Sequence, residues 1–183
     1  MVRNRRLKTL GLVGLLCTVG GTALAECADV PAPGVNWRRC LQDGQDLRGV
    51  DLSGATLDEA SFKRADLSGA VLAGANARRA KFVSATMHDV DLQQTRLIRA
   101  DLTSADLTGA SLIQADLTNA RLFRANLSDA DLTGARIANT DLLHAVLAGV
   151  TWIDGKTICA ETSVGQCHPA PKQPAVSDAE PSG

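Results

Sequence analysis

Apolar residues recur at every fifth position through the middle of the chain. From Gln45 to Asp154 the sequence divides into 22 five-residue units without an insertion. The middle residue of each unit, called the centre below, is Leu in sixteen units, and the residue two places earlier is Ala in sixteen. A single period kept over this length predicts one repetitive domain built from one structural unit.

A five-residue period fits neither a helix nor a flat strand. On an α-helix, five residues turn the side chain by about 500°, so the leucines would spiral around all sides. On a strand, an odd period sends successive leucines to opposite faces. If the chain turns a corner in every unit, four units close a square coil with every Leu and Ala inside. The pattern therefore predicts an all-β solenoid in which residues 20 apart stack on the same side.

The polar positions of the units support such corners. Asp, Asn, Ser and Thr before the centre can hydrogen-bond to the local turn backbone. The last position is Gly in seven units and Asn or Asp in five, and these residues tolerate the positive φ of a type II turn. No Pro occurs in the array, so every backbone N–H is free to bond between coils.

The units resemble those of the pentapeptide-repeat family, with its A-(D/N)-L-x-x signature. Ala65–Gly69 (ADLSG) and Ala105–Gly109 (ADLTG) are examples. The resemblance implies a right-handed quadrilateral β-helix, and the two additional units of residues 35–44 bring it to about six coils. Ala77 departs from the signature at a centre, and we expect a thin core there unless the coil pinches inward.

Residues 1–25 have the features of a signal peptide. A basic start with no acid is followed by an apolar stretch from Leu10 to Gly21, and a small-x-small pattern ends at Ala25. We expect cleavage after Ala25, a periplasmic or secreted location, and no transmembrane segment in the mature chain. An uncleaved N-terminal anchor is the alternative.

The segments that flank the array are expected to cover its ends. Residues 26–44 and 155–167 are predicted to form an N-terminal and a C-terminal cap around the β-helix of residues 45–154, because open coils expose core and unpaired backbone. Trp37 and Trp152 lie near the two ends. The Pro-rich segment of residues 168–183 is expected to be disordered.

Cysteine usage agrees with export. Once Cys17 leaves with the signal peptide, four cysteines remain, and an even count in an exported chain predicts two disulfides. Three pairings are possible. The cysteines fall in two close pairs, one at each end of the array, which favours Cys27–Cys40 and Cys159–Cys167. A zinc site is disfavoured because the chain has no CxxC and no nearby His pair.

Stacking of residues 20 apart predicts four faces with different charge. The first, second, third and fourth faces begin with the units centred on Leu47, Leu52, Leu57 and Phe62, and each continues every 20 residues. The first has five acids and one base, the second four acids and no base, the third five bases and three acids, and the fourth five bases and two acids. The rod therefore has an acidic side and a basic side.

We predict that the basic side carries the binding surface. Phe123 points outward between Arg121 and Arg124, which is typical of an interaction patch. The predicted basic–apolar strip consists of Arg78, Arg79, Arg96, Ile98, Arg99, Arg121, Phe123, Arg124 and Leu143. An acidic protein, an anionic envelope component or the acidic side of a second copy, giving a homodimer, would fit it. Alternatively, the apolar side chains lie flat over the corners.

The sequence contains no pattern typical of a catalytic site, so we do not expect an enzyme or a cofactor. The serines lack a partnered His, and the glycines follow the repeat rather than a phosphate-binding motif. His88 and His144 lie on different faces without metal-ligand spacing, so no metal site is predicted. Stacking of Asp46 on Asp66 leaves a bound cation such as Ca²⁺ as an open alternative.

The predicted function is a non-enzymatic extracytoplasmic binding or scaffolding module. Without residues 1–25, four of the 19 basic residues are lost and 15 remain against 20 acidic ones, which argues against nucleic-acid binding. The family resemblance implies an alternative, because some members mimic duplex DNA and protect DNA gyrase from quinolones. We do not favour that alternative, because only two faces are acidic and the chain is expected to leave the cytoplasm.

Overall fold

The computed structural model describes residues 26–171. The predicted signal peptide and residues 172–183 of the expected disordered tail lie outside the described residues. Within the described part, the helical structure is one 3₁₀ turn, Glu26–Ala28. The β-structure consists of single-residue bridges separated by turns, and no longer strand is formed.

Parallel bridges join residues 20 apart along the whole array. They run from Asn36↔Thr56 to Asp131↔Thr151, one bridge in each unit. Four units therefore make one coil, and each unit stacks on the corresponding unit of the next coil, as the five-residue period predicts. Asn36 and Leu41 already take part in these bridges. Residues 35–44, assigned to the N-terminal cap, thus have the geometry of the coils.

Each unit ends in a two-residue corner. The first residue of the next unit donates its N–H to the carbonyl of the centre, as Ala55 does to Leu52 at 3.0 Å. The last residue of the unit has a positive φ, +62° at Gly54 for example. The expected tolerance of Gly, Asn and Asp is confirmed, yet Arg79 and Gln114 adopt positive φ as well. Each such non-Gly residue costs about 1–2 kcal/mol, which the continuous hydrogen-bonded ladder must offset.

Asp residues before the centre stabilise their own corner. Asp101 Oδ1 accepts hydrogen bonds from the N–H of Thr103 at 3.1 Å and from the Thr103 hydroxyl at 2.6 Å. Asp131 and Thr133 form the same pair of bonds, at 2.8 and 2.5 Å. This arrangement explains why Ser or Thr so often follows the centre when Asp precedes it.

The core is a stack of centres and alanines. The centres from Leu52 to Leu132 are all fully buried, Ala77 included. The coil of Ala77 also contains Phe82 and Met87, and the Phe82 ring stacks on Phe62 with 5.1 Å between centroids. Ala77 is therefore fully enclosed, in a part of the core that also contains two large centres.

The N-terminal cap closes its end of the rod. Cys27 and Cys40 form the disulfide that their spacing favoured, with 5.3 Å between Cα atoms. Trp37 is 1% exposed, and its indole N–H donates to the carbonyl of Asp29 at 3.3 Å. The segment before the first coil thus crosses the open end and buries the first centre.

The C-terminal cap returns antiparallel across the last coil. Its bridges are Val146↔Val164 and Thr151↔Ile158. The second favoured disulfide, Cys159–Cys167, is also present, with 5.0 Å between Cα atoms.

Backbone pairing at this end continues beyond the predicted limit of the cap at Cys167. Cys159 bridges Pro169, and Ala170 donates its N–H to Ile158 at 2.8 Å. The first residues of the segment that we expected to be disordered are therefore paired with the cap.

The C-terminal cap covers the last coil incompletely. Its bridges lie on the first and second faces, where Leu147 and Val150 are fully buried, but the second-face centre Trp152 is only half-buried. On the third and fourth faces, Ile137 and Leu142 are only half-buried. Next to them, Leu143 is 58% exposed. These two faces therefore end in partly uncovered apolar side chains.

We predict that Ala77→Leu destabilises the protein by about 1–3 kcal/mol, because the added side chain overpacks a coil already filled by Phe82. The double variant Ala77→Leu/Phe82→Leu should recover most of that loss, since it moves volume from one face of the coil to another. Chemical denaturation monitored by circular dichroism measures both values. A double variant no more stable than Ala77→Leu would contradict this account of the core.

Candidate binding surface

The outward side chains form columns along the rod. Bridge partners are 20 residues apart and adjacent coils lie about 4.8 Å apart, so each outward position repeats at that spacing. The six arginines of the predicted strip are all exposed. Surface chemistry is therefore arranged in lines, and neighbours in a column decide which charges are compensated.

On the acidic side, Arg48 joins two stacked carboxylates. It donates to both oxygens of Asp46, at 2.8 and 2.6 Å, and its Nε lies 3.7 Å from Asp66. The hydrogen bond from Arg48 holds the pKa of Asp46 at about 2. The hydroxyl of Ser68 lowers the pKa of Asp66. Repulsion between Asp46 and Asp66 was the reason to consider a bound cation such as Ca²⁺. In the structure, Arg48 relieves that repulsion.

At the N-terminal end of the basic side, the arginines are ion-paired. Glu59 accepts from Arg39 at 2.9 Å and lies 3.6 Å from Arg79. The hydrogen bond from Arg39 is the main cause of a lowered pKa at Glu59. Arg38 lies 3.8 Å from Asp58 in the neighbouring column. Much of the positive charge around Arg79 is therefore compensated within the rod.

Farther along the basic side, several cations have no such partner. Within residues 26–171, no carboxylate lies within 4.0 Å of the charged groups of Arg99, Arg121 or Arg124. Arg99 and Arg121 line one shallow groove over the corner between the third and fourth faces, together with the amides of Asn119 and Asn139. Asp101 and Asp141 line the same groove, so it presents guanidinium and carboxylate groups that do not approach within 4.0 Å of each other.

Phe123 belongs to a small aromatic and cationic cluster on the fourth face. Its ring lies 5.0 Å from the guanidinium carbon of Arg124 and meets the His144 ring edge-on, 5.6 Å between centroids. Phe123 is half-buried, whereas Leu143 is 58% exposed. Phe123 therefore lies partly against its neighbours, and Leu143 is the most exposed apolar side chain of the predicted strip.

The structure divides the predicted strip into groups. Arg99 and Arg121 meet across a corner, Phe123 and Arg124 are in contact, and Arg79 belongs to the ion-paired column with Glu59. Arg39 and Glu59 were not among the predicted site residues, although Arg39, Glu59 and Arg79 follow each other at intervals of 20 residues, a spacing that could have indicated their pairing. The contact of His144 with Phe123 was not predicted either, because it depends on side-chain rotamers.

Among the described residues, His88 is the histidine closest to a carboxylate. His88 lies 3.5 Å from Asp106, but the nearest serine of its column, Ser68, donates its hydroxyl to Asp66 at 2.6 Å. No cluster of His, Cys, Asp or Glu among residues 26–171 could hold a metal ion. No helix in that range is long and apolar enough to cross a bilayer.

A family model and solved structures give a consistent comparison. The model described as pentapeptide repeats matches with eight copies, over residues 46–83, 60–97, 85–124 and 125–151. These matches together span more than half of the chain. No curated protein sequence matches it.

Several solved structures are similar to the chain. Rfr23, a pentapeptide repeat protein of the cyanobacterium Cyanothece 51142, is 29% identical with a TM-score of 0.52, covering 55% of this chain and 81% of that one. A pentapeptide repeat protein of the Arabidopsis thaliana thylakoid lumen is 28% identical with a TM-score of 0.43, covering 69% and 86%. QnrB1, a plasmid-mediated fluoroquinolone resistance protein, is 25% identical with a TM-score of 0.45, covering 63% and 58%.

We predict that Arg48→Gln raises the pKa of Asp46 from about 2 toward its ordinary value of 3.8, because the charged hydrogen bond is lost. Ionised Asp46 favours the folded state above that ordinary value, and the contribution disappears as the pH falls toward 2. A carbon-detected NMR titration measures the shift. Asp154, whose pKa of about 2 is caused mainly by the backbone N–H of Thr157, is the control and should not move. An unchanged Asp46 would refute the role of Arg48.

Proposed function

The chain belongs to the pentapeptide-repeat family, and on that premise we propose that it is a non-enzymatic binding and scaffolding module of an extracytoplasmic compartment. The fold supports such a role because residues 26–171 form a rod with columns of outward side chains and shallow surface grooves. A partner would be recognised along a face, by charge and shape, rather than in a pocket.

The two disulfides indicate an oxidising compartment. Cys27–Cys40 and Cys159–Cys167 use all four cysteines of the described residues and close both ends of the rod. Disulfides of this kind persist in periplasmic and secreted proteins and are rare in the cytosol. Together with the predicted signal peptide, they support a periplasmic or secreted location.

Uncompensated positive charge carries the proposal for the binding surface. Arg96 and Arg99 are exposed on the third face without an ion-pair partner among residues 26–171. The acidic side, in contrast, is partly neutralised by Arg48 and tied into its own turns. An anionic partner, either an acidic protein or an anionic component of the envelope, is the complement of this surface.

We do not favour a DNA-mimicking gyrase inhibitor as the function. A mimic of duplex DNA needs negative charge around the rod, whereas the third and fourth faces carry more bases than acids. DNA gyrase is also cytosolic, where disulfides such as Cys27–Cys40 do not normally persist.

We predict that the protein binds anionic probes through the third face. The probes are polyglutamate, dextran sulfate and vesicles containing phosphatidylglycerol. Neutralising two exposed cations, in Arg96→Gln/Arg99→Gln, should weaken binding of the recognised probe about fivefold at low salt, because exposed charge pairs contribute up to about 1 kcal/mol each. Isothermal titration calorimetry or vesicle co-sedimentation measures the change.

The control for this experiment changes the net charge by the same amount on another face. Ala73→Glu/Gln93→Glu alters two outward residues in the middle column of the second face, away from the groove that Arg96 shares with Gln94. It should leave binding nearly unchanged if the third face is the site. Equal losses in both variants would mean that net charge alone governs binding, and no binding to any of the three probes would overturn an anionic partner.

We also predict that the protein from its native host is found outside the cytoplasm as a chain beginning at Glu26, with four oxidised cysteines. Intact mass of separated cell fractions, alkylated before and after reduction, measures both features. A full-length, cytoplasmic chain with free thiols would contradict the extracytoplasmic proposal and reopen the gyrase alternative.

A further inference from the structure

The fourth face carries a column of alternating charge. Its members are Lys81, Asp101, Arg121 and Asp141, and each is the bridge partner of the next. Along the rod the sign therefore changes at every coil, with a spacing of about 4.8 Å. No other outward column of the array alternates in this way over four successive coils.

These four charged side chains form no ion pair in the described part of the chain. Among the described residues, no carboxylate lies within 4.0 Å of Lys81 or Arg121. Asp101 and Asp141 use one carboxylate oxygen, Oδ1, to accept an N–H from the residue two places later, each at 3.1 Å. The other oxygen of each carboxylate has no hydrogen-bond partner within residues 26–171.

A second column lies beside the first. It consists of Val83, Thr103, Phe123 and Leu143, the residues just after the centres of the same four units. Three of its four members, Val83, Phe123 and Leu143, are apolar, and Leu143 is 58% exposed. The fourth face thus combines an alternating charge column with a mainly apolar one.

We propose that the fourth face binds the fourth face of a second copy in an antiparallel, two-fold symmetric dimer. The axis lies in the plane of contact, perpendicular to the rod, between the coils of Asp101 and Arg121. Such an axis reverses the order along each column and keeps each column opposite itself. A symmetric dimer needs a surface that is complementary to its own rotated copy.

The charge column meets that requirement at all four positions. Lys81 faces Asp141 of the second copy, and Asp101 faces Arg121 of the second copy. The two remaining pairs follow by symmetry, so every contact joins opposite signs. A parallel arrangement would place each charge on its own equivalent, Lys81 on Lys81 for example, which would be repulsive at every position.

The same axis also satisfies the apolar column. Val83 faces Leu143 of the second copy, and Thr103 faces Phe123 of the second copy. Leu143, the most exposed of these apolar side chains, is thereby covered. Both columns thus select the same axis and direction, although they contain different residues and different chemistry.

The contact is small, so the dimer is weak. Four coils span about 19 Å of one side of the rod, well below the standard interface of about 800 Å² per partner. We expect a dissociation constant of about 10–1000 µM. Confined to a thin envelope compartment or clustered on a shared partner, such an interface still orders neighbouring copies.

Dimerisation would also enlarge the surface of the proposed function. In this geometry the third faces of the two copies lie side by side, so Arg78, Arg79, Arg96 and Arg99 of both copies face the same way. The consequence for ligand binding rests on the proposed function, whereas the dimer itself does not. Avidity for an extended anionic partner would then increase on dimerisation.

Charge exchange tests the proposal without any ligand. Sedimentation equilibrium of the purified, disulfide-bonded protein is measured from about 10 µM to about 1 mM at low salt. Arg121→Asp and Asp101→Arg should each reduce association at least about fivefold, because each creates two like-charge contacts in the dimer. An equal mixture of the two single variants should associate again, and so should the double variant Asp101→Arg/Arg121→Asp.

Asp131→Arg on the second face is the matched control, since it removes the same turn hydrogen bonds to a following Thr and should leave association unchanged. A protein that stays monomeric at about 1 mM, or a mixture that associates no better than its components, would overturn the dimer. Because no anionic probe is present, neither result bears on the third-face binding experiment. Loss of association in the Asp131→Arg control would likewise count against the fourth face as the interface.

Discussion

The five-residue corner is the constraint on which the rest of this protein depends. In each unit, the N–H of the next first residue bonds to the carbonyl of the centre, and the last residue takes a positive φ. The chain therefore changes direction every five residues, so that all centres point inward and all units stack at 20-residue spacing. Residues such as Arg79 and Gln114 adopt a positive φ, which is unfavourable for residues other than glycine, because the hydrogen bonds to the coils on both sides hold the backbone in that conformation.

Stacking at that spacing aligns the outward side chains in columns, just as it aligns the centres in the core. A residue of a given position always has the residues 20 before and 20 after it as neighbours, whatever their chemistry. Arg39, Glu59 and Arg79 thereby form an ion-paired column, whereas Lys81, Asp101, Arg121 and Asp141 form one whose cations have no partner within the described chain. The same backbone geometry thus produces one column whose charges are ion-paired and another whose charges can interact with a partner.

The proposed activity follows from this linear surface. A rod of single-residue bridges has little room for a deep pocket, and the described residues hold no cluster of metal ligands. They present instead an acidic side, partly tied into its own turns, and a basic side on which Arg96 and Arg99 have no carboxylate within 4.0 Å among the described residues. Recognition of an extended anionic partner and pairing with a second copy both use flat faces, which is what the fold supplies.

The sequence by itself determined the architecture of this protein and much of its chemistry. The period placed Leu and Ala inside, the 20-residue stacking predicted which charges share a face, and the spacing of the cysteines favoured the two disulfides that are present. These features follow from local rules that every unit repeats.

Only the tertiary structure decided the features that depend on departures from the repeat. The Phe82 ring stacks on Phe62, His144 contacts Phe123, and the C-terminal cap leaves Ile137 and Leu142 half-buried. Each of these features depends on side-chain rotamers or on the path of a segment that does not follow the five-residue repeat. The repeat pattern predicts neither the rotamers nor the path of the cap, because both depend on packing between residues that are not related by the 20-residue spacing.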